Sequence, residues 1–215
     1  MKLYGHPLSP CTRKVLLTLV EKGQSARFES VDLIAGAHKH AEHVARHPFG
    51  VIPVLDDDGL LLYESRAIIR HLDRRDGAPS LVPSALSELA LMDQWLSVDQ
   101  SYIAPHTRTL AIERVLKGHA GQAPDPERER ESEVALAQAF AVIDRALAAR
   151  PYLTGELFSL ADVSLMPYVA SLPLLRASHL LSAVPHLGSW WERMQARPSW
   201  RALDRGESLK TDTSP

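Results

Sequence analysis

The sequence predicts an α/β segment followed by an all-helical one. Three observations say so. The order strand, helix, strand, helix, hairpin, helix is visible before residue 76. A stretch rich in proline and small residues follows, Asp76-Gly77-Ala78-Pro79-Ser80-Leu81-Val82-Pro83-Ser84. Beyond it the apolar spacing is helical throughout. A chain of 215 residues can bury two modest cores. The expected division is residues 1–76, a linker over 77–84, and a helical domain over 85–215.

Lys2-Leu3-Tyr4-Gly5 is short and strand-like. His6-Pro7-Leu8-Ser9-Pro10-Cys11-Thr12-Arg13-Lys14 then leads into Val15, Leu16, Leu19 and Val20, whose spacing suits one face of a helix. Ser9 before Pro10 marks its start, an N-cap followed by proline at the first helical position. As structure alone that pair needs no further explanation. Gly23 closes the helix, and Arg27 to Asp32 reads as a second strand. A third strand is expected from about Ile52 to Asp56, a turn at Asp57-Asp58-Gly59, and a fourth strand from Leu60 to Tyr63.

Glu64 and Ser65 open an amphipathic run through Ala67, Ile68, Ile69 and Leu72. A helix beginning at Ser65 aims unpaired backbone N–H groups and a partial positive charge outward, which favours a carboxylate, and the Ser65 hydroxyl can join that cradle. The ordinary alternative is a serine acting only as an N-cap. Pro53 lies between apolar residues at a strand start, where it cannot donate to a central ladder. A cis bond there would turn the backbone outward for a ligand to pair with.

In the second half, Leu86 to about Gly118 reads as one or two linked helices, with Trp95 and Leu96 on the apolar side and a kink at Pro105. Gly121 to Pro126 is a loop. Glu127 to Ala149 is helical with Val134, Leu136, Phe140, Ile143 and Leu147 inward, and Glu127-Arg128-Glu129-Arg130-Glu131 forms a solvated first turn. Ser159-Leu160-Ala161-Asp162 is a capping pattern with Asp in place of the usual Glu, which assigns both polar residues to folding. There is no internal repeat and no low-complexity segment.

Composition narrows the function. The 24 basic and 26 acidic residues are interspersed and the net charge is −2, so there is no electrostatic footprint for nucleic acid. No apolar run approaches a membrane span, and the N-terminus lacks the regions of a signal peptide. The single cysteine, Cys11, forbids an intrachain disulfide, and a reducing cytoplasm is the simplest home. His38, His40, His43 and His47 read as a solvated helix face. With no nearby cysteine or paired carboxylates they do not make a metal site.

Three segments together resemble the cytosolic glutathione transferases, in particular the phi class and its bacterial relatives: Tyr4-Gly5-His6-Pro7 with Ser9, Thr12 and Arg13; His47-Pro48-Phe49-Gly50 with Pro53; and Glu64-Ser65-Arg66-Ala67-Ile68. The resemblance covers nearly the whole chain. It implies a thioredoxin-like N-terminal domain with a mixed four-stranded sheet, an all-helical C-terminal domain, glutathione as co-substrate and a role in detoxification. It also implies that Pro53 is cis, that Glu64 and Ser65 hold the γ-glutamyl end of glutathione, and that Ser9 faces its sulfur. Gly36-Ala37-His38-Lys39 is similar to the family's Gly-Glu-His-Lys, so His38 and Lys39 inherit contacts to the glycine carboxylate. Ile52 offers backbone groups to the cysteinyl unit. Val51 departs from the family's Gln or Lys, so a side-chain contact is missing there. By the same resemblance Ser159 and Asp162 form a structural capping box, Pro185 to Arg197 with Trp190, Trp191 and Met194 forms the next helix, and Trp200 packs after Pro198. Phe49 matches an aromatic that related proteins insert into a partner subunit, which implies a homodimer.

The chemistry expected of that site is attack by the glutathione thiolate on an electrophilic carbon or a peroxide oxygen. A thiol with pKa near 8.5 is only about 3% thiolate at pH 7. A hydrogen bond from the Ser9 hydroxyl to the charged sulfur contributes roughly 1.5–3 kcal/mol, or about one to two pKa units, and the start of its helix adds in the same direction. The electrophile is expected between the domains, against Leu8, Ile34, Ile103, His106 and Thr107. One rival is a thiol transferase using Cys11, in the first turn of the same helix. Residues two apart on a helix diverge by roughly 200°, so Ser9 and Cys11 do not easily aim at one point, and the family's cysteine-type members carry Cys where Ser9 stands. Another rival is a non-catalytic glutathione- or ligand-binding protein, since fold does not fix function.

Overall fold

Four short strands organise the first half of the structure, a computed structural model that describes residues 1–75 and 79–206. In chain order the elements are β1 (Lys2–Gly5), α1 (Pro10–Glu21), β2 (Arg27–Ser30), a 3₁₀ turn (Ala37–Lys39), α2 (Ala41–Arg46), β3 (Val54–Asp57), β4 (Leu60–Tyr63) and α3 (Ser65–Arg75). The sheet runs β2-β1-β3-β4. β1 pairs parallel with β2 and antiparallel with β3, and β4 is antiparallel to β3, which makes the expected mixed sheet. Leu3, Val54 and Leu55 are fully buried in it. Helices α1 and α3 pack together, and their buried faces carry Val15, Leu16, Leu19, Ile68, Ile69 and Leu72 at helical spacing.

Local chemistry moves some boundaries. β2 stops at Ser30, short of Asp32, because the Asp32 carboxylate accepts the Ile34 and Ala35 N–H groups, each at 2.9 Å, and bends the chain into a turn. β3 begins after Pro53, which has no N–H for the ladder, and runs on to Asp57, paired with Leu60. The turn is therefore the two residues Asp58 and Gly59, both at positive φ (53° and 95°), the backbone that matches strand twist in a tight hairpin.

The helical elements that follow are α4 (Leu86–Val98), α5 (Ala104–Ala111), α6 (Lys117–His119), α7 (Pro126–Leu147), α8 (Leu160–Ser171), α9 (Pro185–Gln195) and α10 (Pro198–Asp204). From α4 to α6 the chain does not break. It widens instead into π-helical turns at Asp99–Ile103 and Ile112–Leu116. Pro105, expected as a kink, sits in the first turn of α5 and has no N–H for the preceding turn, and the first widened segment lies directly before it. Asp125 caps α7, accepting from Glu127 N–H at 3.0 Å and Arg128 N–H at 3.3 Å, with Pro126 at the first helical position. On α7, Leu136, Phe140, Ile143 and Leu147 are buried at spacings of four, three and four, but Val134 is 48% exposed. Two residues before Leu136, it falls roughly 200° round the helix and faces outward.

At the start of α8 the capping box forms as expected. Asp162, fully buried, accepts from Ser159 N–H (3.0 Å) and Ser159 Oγ (3.2 Å), and further from Leu153 N–H (3.1 Å) and Trp190 Nε1–H (2.9 Å). Burial pushes its carboxyl above the usual range, and these hydrogen bonds pull it back down.

Among the described residues the chain forms two compact units, one of residues up to Leu81 together with Gln195 to Gly206, the other Val82–Met194. Asp76, Gly77 and Ala78 of the expected linker lie outside the described residues. Helix α10 packs on α1. Arg197 donates twice to Glu21, at 2.9 Å each, Ser199 Oγ donates to the same carboxylate, and Arg13 reaches Asp204 at 3.1 Å while its guanidinium lies 4.8 Å from the Trp200 ring centre. The helical spacing of the sequence assigns this tail to the domain over 85–215, whereas its contacts with α1 place it with the first unit. Among the described residues, no helix is long and apolar enough to cross a membrane.

Candidate functional site

Register brings the expected site together. Tyr4 pairs with Val54 and Val54 with Tyr63, while Gly5 pairs with Ser30. The chain therefore leaves β1, β2 and β4, and enters β3, at one end of the sheet. Ser9 follows β1, His38 and Lys39 follow β2, Ile52 and Pro53 precede β3, and Glu64 and Ser65 follow β4.

Ser9 is the half-buried N-cap of α1, and its Oγ accepts the Thr12 N–H at 3.4 Å. Its lone pair serves the helix, and its O–H stays available as a donor. The loop before it is tied down. Ser9 N–H donates to the His6 carbonyl at 2.9 Å, Leu8 N–H to His6 Nδ1 at 3.3 Å, and His6 N–H to Thr12 Oγ1 at 3.3 Å. Because Leu8 N–H donates to it, Nδ1 is the acceptor nitrogen of the ring, and burial lowers the His6 pKa against the pull of Asp32. Gly5 permits this close approach, because a Cβ there would lie 2.5 Å from the Thr12 side chain. Cys11 is half-buried in the first turn of α1.

At the second helix start, the Glu64 carbonyl accepts the Ala67 and Ile68 N–H groups at 2.9 and 3.0 Å. Glu64, at φ 68°, is thus the N-cap and Ser65 the first helical residue. This removes the reading of Ser65 as an ordinary cap. Its side chain sits at the helix mouth, 3% exposed, and no described residue hydrogen-bonds its hydroxyl. The Glu64 side chain is exposed.

The Ile52–Pro53 bond is cis. Among the described residues none accepts the Ile52 N–H. The loop entering it is braced by the 3₁₀ turn: Lys39 Nζ donates to the Phe49 carbonyl at 3.3 Å, and a Cβ on Gly50 (φ 57°) would stand 3.0 Å from the His38 carbonyl and 3.1 Å from the Lys39 chain. His38 is half-buried and Lys39 exposed.

The histidines of α2 are not a solvated face. His40 is exposed, but His43 and His47 are 4% and 1% exposed. His43 Nε2–H donates to the Val51 carbonyl at 2.7 Å. The His47 ring packs 4.7 Å from Tyr63 and 6.2 Å from Phe49. Burial holds the His47 pKa below its ordinary value, Glu64 opposes that shift, and His43 and Lys39 reinforce it. Sequence reasoning missed both roles. The signal was there, two histidines four apart on a short helix, one turn apart on one face. Among the described residues, no group of three or more His, Cys, Asp or Glu side chains is arranged to hold a metal.

Of the residues expected against the electrophile, Leu8 and Ile34 are 56% and 64% exposed. His106 is half-buried. Ile103, at the end of the first widened turn, and Thr107 of α5 are 0% and 3% exposed and offer no surface to a ligand, Thr107 lying on the buried face of α5 with Leu110.

The chain is similar to known proteins in sequence and in fold. Residues 3–80 match the glutathione S-transferase N-terminal domain, and residues 101–198 match the C-terminal domain of the same family. Glutathione S-transferase 4 of Zea mays is 34% identical over 199 residues, which cover 93% of this chain and 89% of that protein. The crystal structure of glutathione transferase F7 from Populus trichocarpa superposes with a TM-score of 0.87 at 31% identity, covering 97% of this chain and 99% of that one. The structure of glutathione S-transferase-I bound with lactoylglutathione superposes with a TM-score of 0.84 at 28% identity, covering 95% and 98%. The chain therefore belongs to the glutathione S-transferase family, in its phi-like branch, and is a transferase with glutathione as its co-substrate.

Proposed function

We propose that Ser9 stabilises the thiolate of bound glutathione for attack on an electrophile. The observation that carries this reading is the pair of helix starts at one end of the sheet, α1 with Ser9 and α3 with Ser65, joined there by cis-Pro53. Two helix N-termini favour two negative groups, a thiolate and a carboxylate. Ser65 Oγ and Ile52 N–H, both without an internal partner, are donors suited to a ligand. In this reading Glu64 and Ser65 hold the γ-glutamyl end, the first by accepting from its ammonium and the second by donating to its carboxylate. Ile52 pairs with the cysteinyl backbone beside Pro53, and His38 and Lys39 meet the glycine carboxylate.

The electrophile meets apolar surface at Leu8, next to Ser9, and at Ile34. Ile103 and Thr107, both buried, offer no contact to it. A peroxide oxygen is a second acceptor for the same thiolate. The protein works as a homodimer anchored by Phe49, which is 70% exposed and packed edge-on against His47 and Tyr63. Sedimentation as a monomer at micromolar concentration refutes the dimer; a dimer that survives Phe49→Ala refutes the anchor alone. A single cysteine and dependence on glutathione suit a reducing cytoplasm.

Retention on immobilised glutathione followed by turnover of an activated aryl halide tests the function. Binding without turnover identifies a carrier. Loss of turnover in Cys11→Ala with a mild Ser9→Ala phenotype, and one glutathione adduct by mass after treatment with glutathione disulfide, identifies the thiol transferase.

A further inference from the structure

The Val51–Ile52 peptide is trans and lies immediately before the cis bond. A trans peptide is planar, with its C=O and N–H pointing in opposite directions. Whatever fixes the Val51 carbonyl therefore also aims the Ile52 N–H. That carbonyl is fixed by His43, whose Nε2–H reaches it at 2.7 Å from a side chain 4% exposed. The acceptor is a carbonyl, so His43 is the donor, and it donates from Nε2 in its neutral and its charged form alike.

The other end of the same loop is held one helical turn away. The His47 carbonyl accepts the Gly50 N–H at 2.8 Å, and the His47 ring packs 4.7 Å from Tyr63, the last residue before Glu64. The two rings are themselves stacked, with centres 6.5 Å apart. Helix α2 thus grips the Ile52 loop through His43 and the Glu64–Ser65 corner through His47. A side chain needed only to fill space would be apolar at position 43, since burying an imidazole is favourable only where its polar atoms are used.

We propose that His43 is a positioning residue for glutathione: its hydrogen bond to the Val51 carbonyl turns the Ile52 N–H away from α2 and presents it as the donor to the cysteinyl unit. This rests on the site proposed above, and it goes beyond that site by assigning the donor's orientation to a side chain that does not touch the ligand. With the bond removed, the peptide plane is free to rotate and part of the glutathione affinity is spent on fixing it.

His43→Phe keeps the volume and deletes the donor, whereas His43→Gln restores an N–H near the position of Nε2. The expected result is a Kd and KM for glutathione raised about twofold to tenfold in His43→Phe, with kcat and the KM of the electrophile unchanged, and a return toward wild type in His43→Gln. A purely structural role moves the melting temperature and both KM values together, without rescue by Gln, and overturns the proposal. So does a glutathione Kd that is the same in all three proteins. Should His43→Phe not fold, the wild type still decides. Its Ile52 amide resonance shifts on adding glutathione if this N–H is the donor, and an unmoved resonance at saturation overturns the assignment. Failure of the wild type to bind glutathione by calorimetry instead refutes the site itself.

Discussion

Replacing Ser9 by alanine separates two effects that the structure keeps apart. The first is structural. Ser9 Oγ accepts the Thr12 N–H at 3.4 Å, a long bond, so losing this cap costs at the low end of the usual range, about 0.5–1 kcal/mol. The second is chemical. If the hydroxyl lowers the pKa of bound glutathione by about one to two units from a free-thiol value near 8.5, the thiolate fraction at pH 7 is about 24% to 76% with Ser9 and about 3% without it. The thiolate population at neutral pH should therefore fall about eightfold to 25-fold, and the deficit should close above about pH 9.5, where both proteins hold glutathione ionised. The assay is the ultraviolet thiolate absorbance of glutathione bound at saturation, followed against pH beside kcat. Circular dichroism and a melting curve establish that α1 persists. Superimposable titration curves for wild type and Ser9→Ala would falsify the thiolate role, whatever happens to the rate.

Other expectations follow from single groups. With Ser65 donating to a glutathione carboxylate as proposed, Ser65→Ala should weaken glutathione binding about tenfold to a hundredfold by calorimetry, with the fold intact. Asp162→Ala strands the Ser159, Leu153 and Trp190 donors in the core and should destabilise by at least about 3 kcal/mol in urea unfolding, with Asp162→Asn intermediate. Asp57 accepts from His71 at 2.7 Å and Arg75 at 3.0 Å, and the His71 hydrogen bond leads in holding its carboxyl below the ordinary value of 3.8. A depressed carboxylate stabilises the fold fully above its unfolded pKa and loses that contribution as pH falls through the folded value. Unfolding midpoints of wild type and Asp57→Asn should therefore differ at pH 6 and converge in strong acid.

Local signals carried most of the fold because they act on neighbours. Ser9-Pro10, Asp57 to Gly59 and Ser159 to Asp162 dictate their own geometry, and each formed where the sequence placed it within a residue or two. What escaped depends on residues distant in sequence. His43 and His47 look solvated on a polar hexapeptide, and only the return of Val51 and Tyr63 over α2 buries them. The tail from Gln195 reads as one more helix of a helical run, and only the pairing of Arg197 with Glu21, across 176 positions, reveals its home on α1. Pro105 gave the place of a disturbance but not its kind, because a proline's missing N–H is met equally by a kink or by a wider turn.

That returning tail has a topological consequence. Since the described residues up to Leu81 and those from Gln195 to Gly206 make one unit, the helical segment Val82–Met194 is an insertion anchored at both ends. Its two ends are held within one folded body, so its unfolded state is a closed loop with less freedom than a dangling chain, and the loop-closure entropy is already spent when the segment folds. A proteolytic nick in the exposed stretch between α6 and α7 would not release a free glutathione-binding half. Each fragment would keep a share of the first unit, α1 on one and α10 on the other, and the severed chain would be held together by the contacts of α1 with α10, Glu21 with Arg197 and Ser199 and Arg13 with Asp204, and by the packing of α5 on α7.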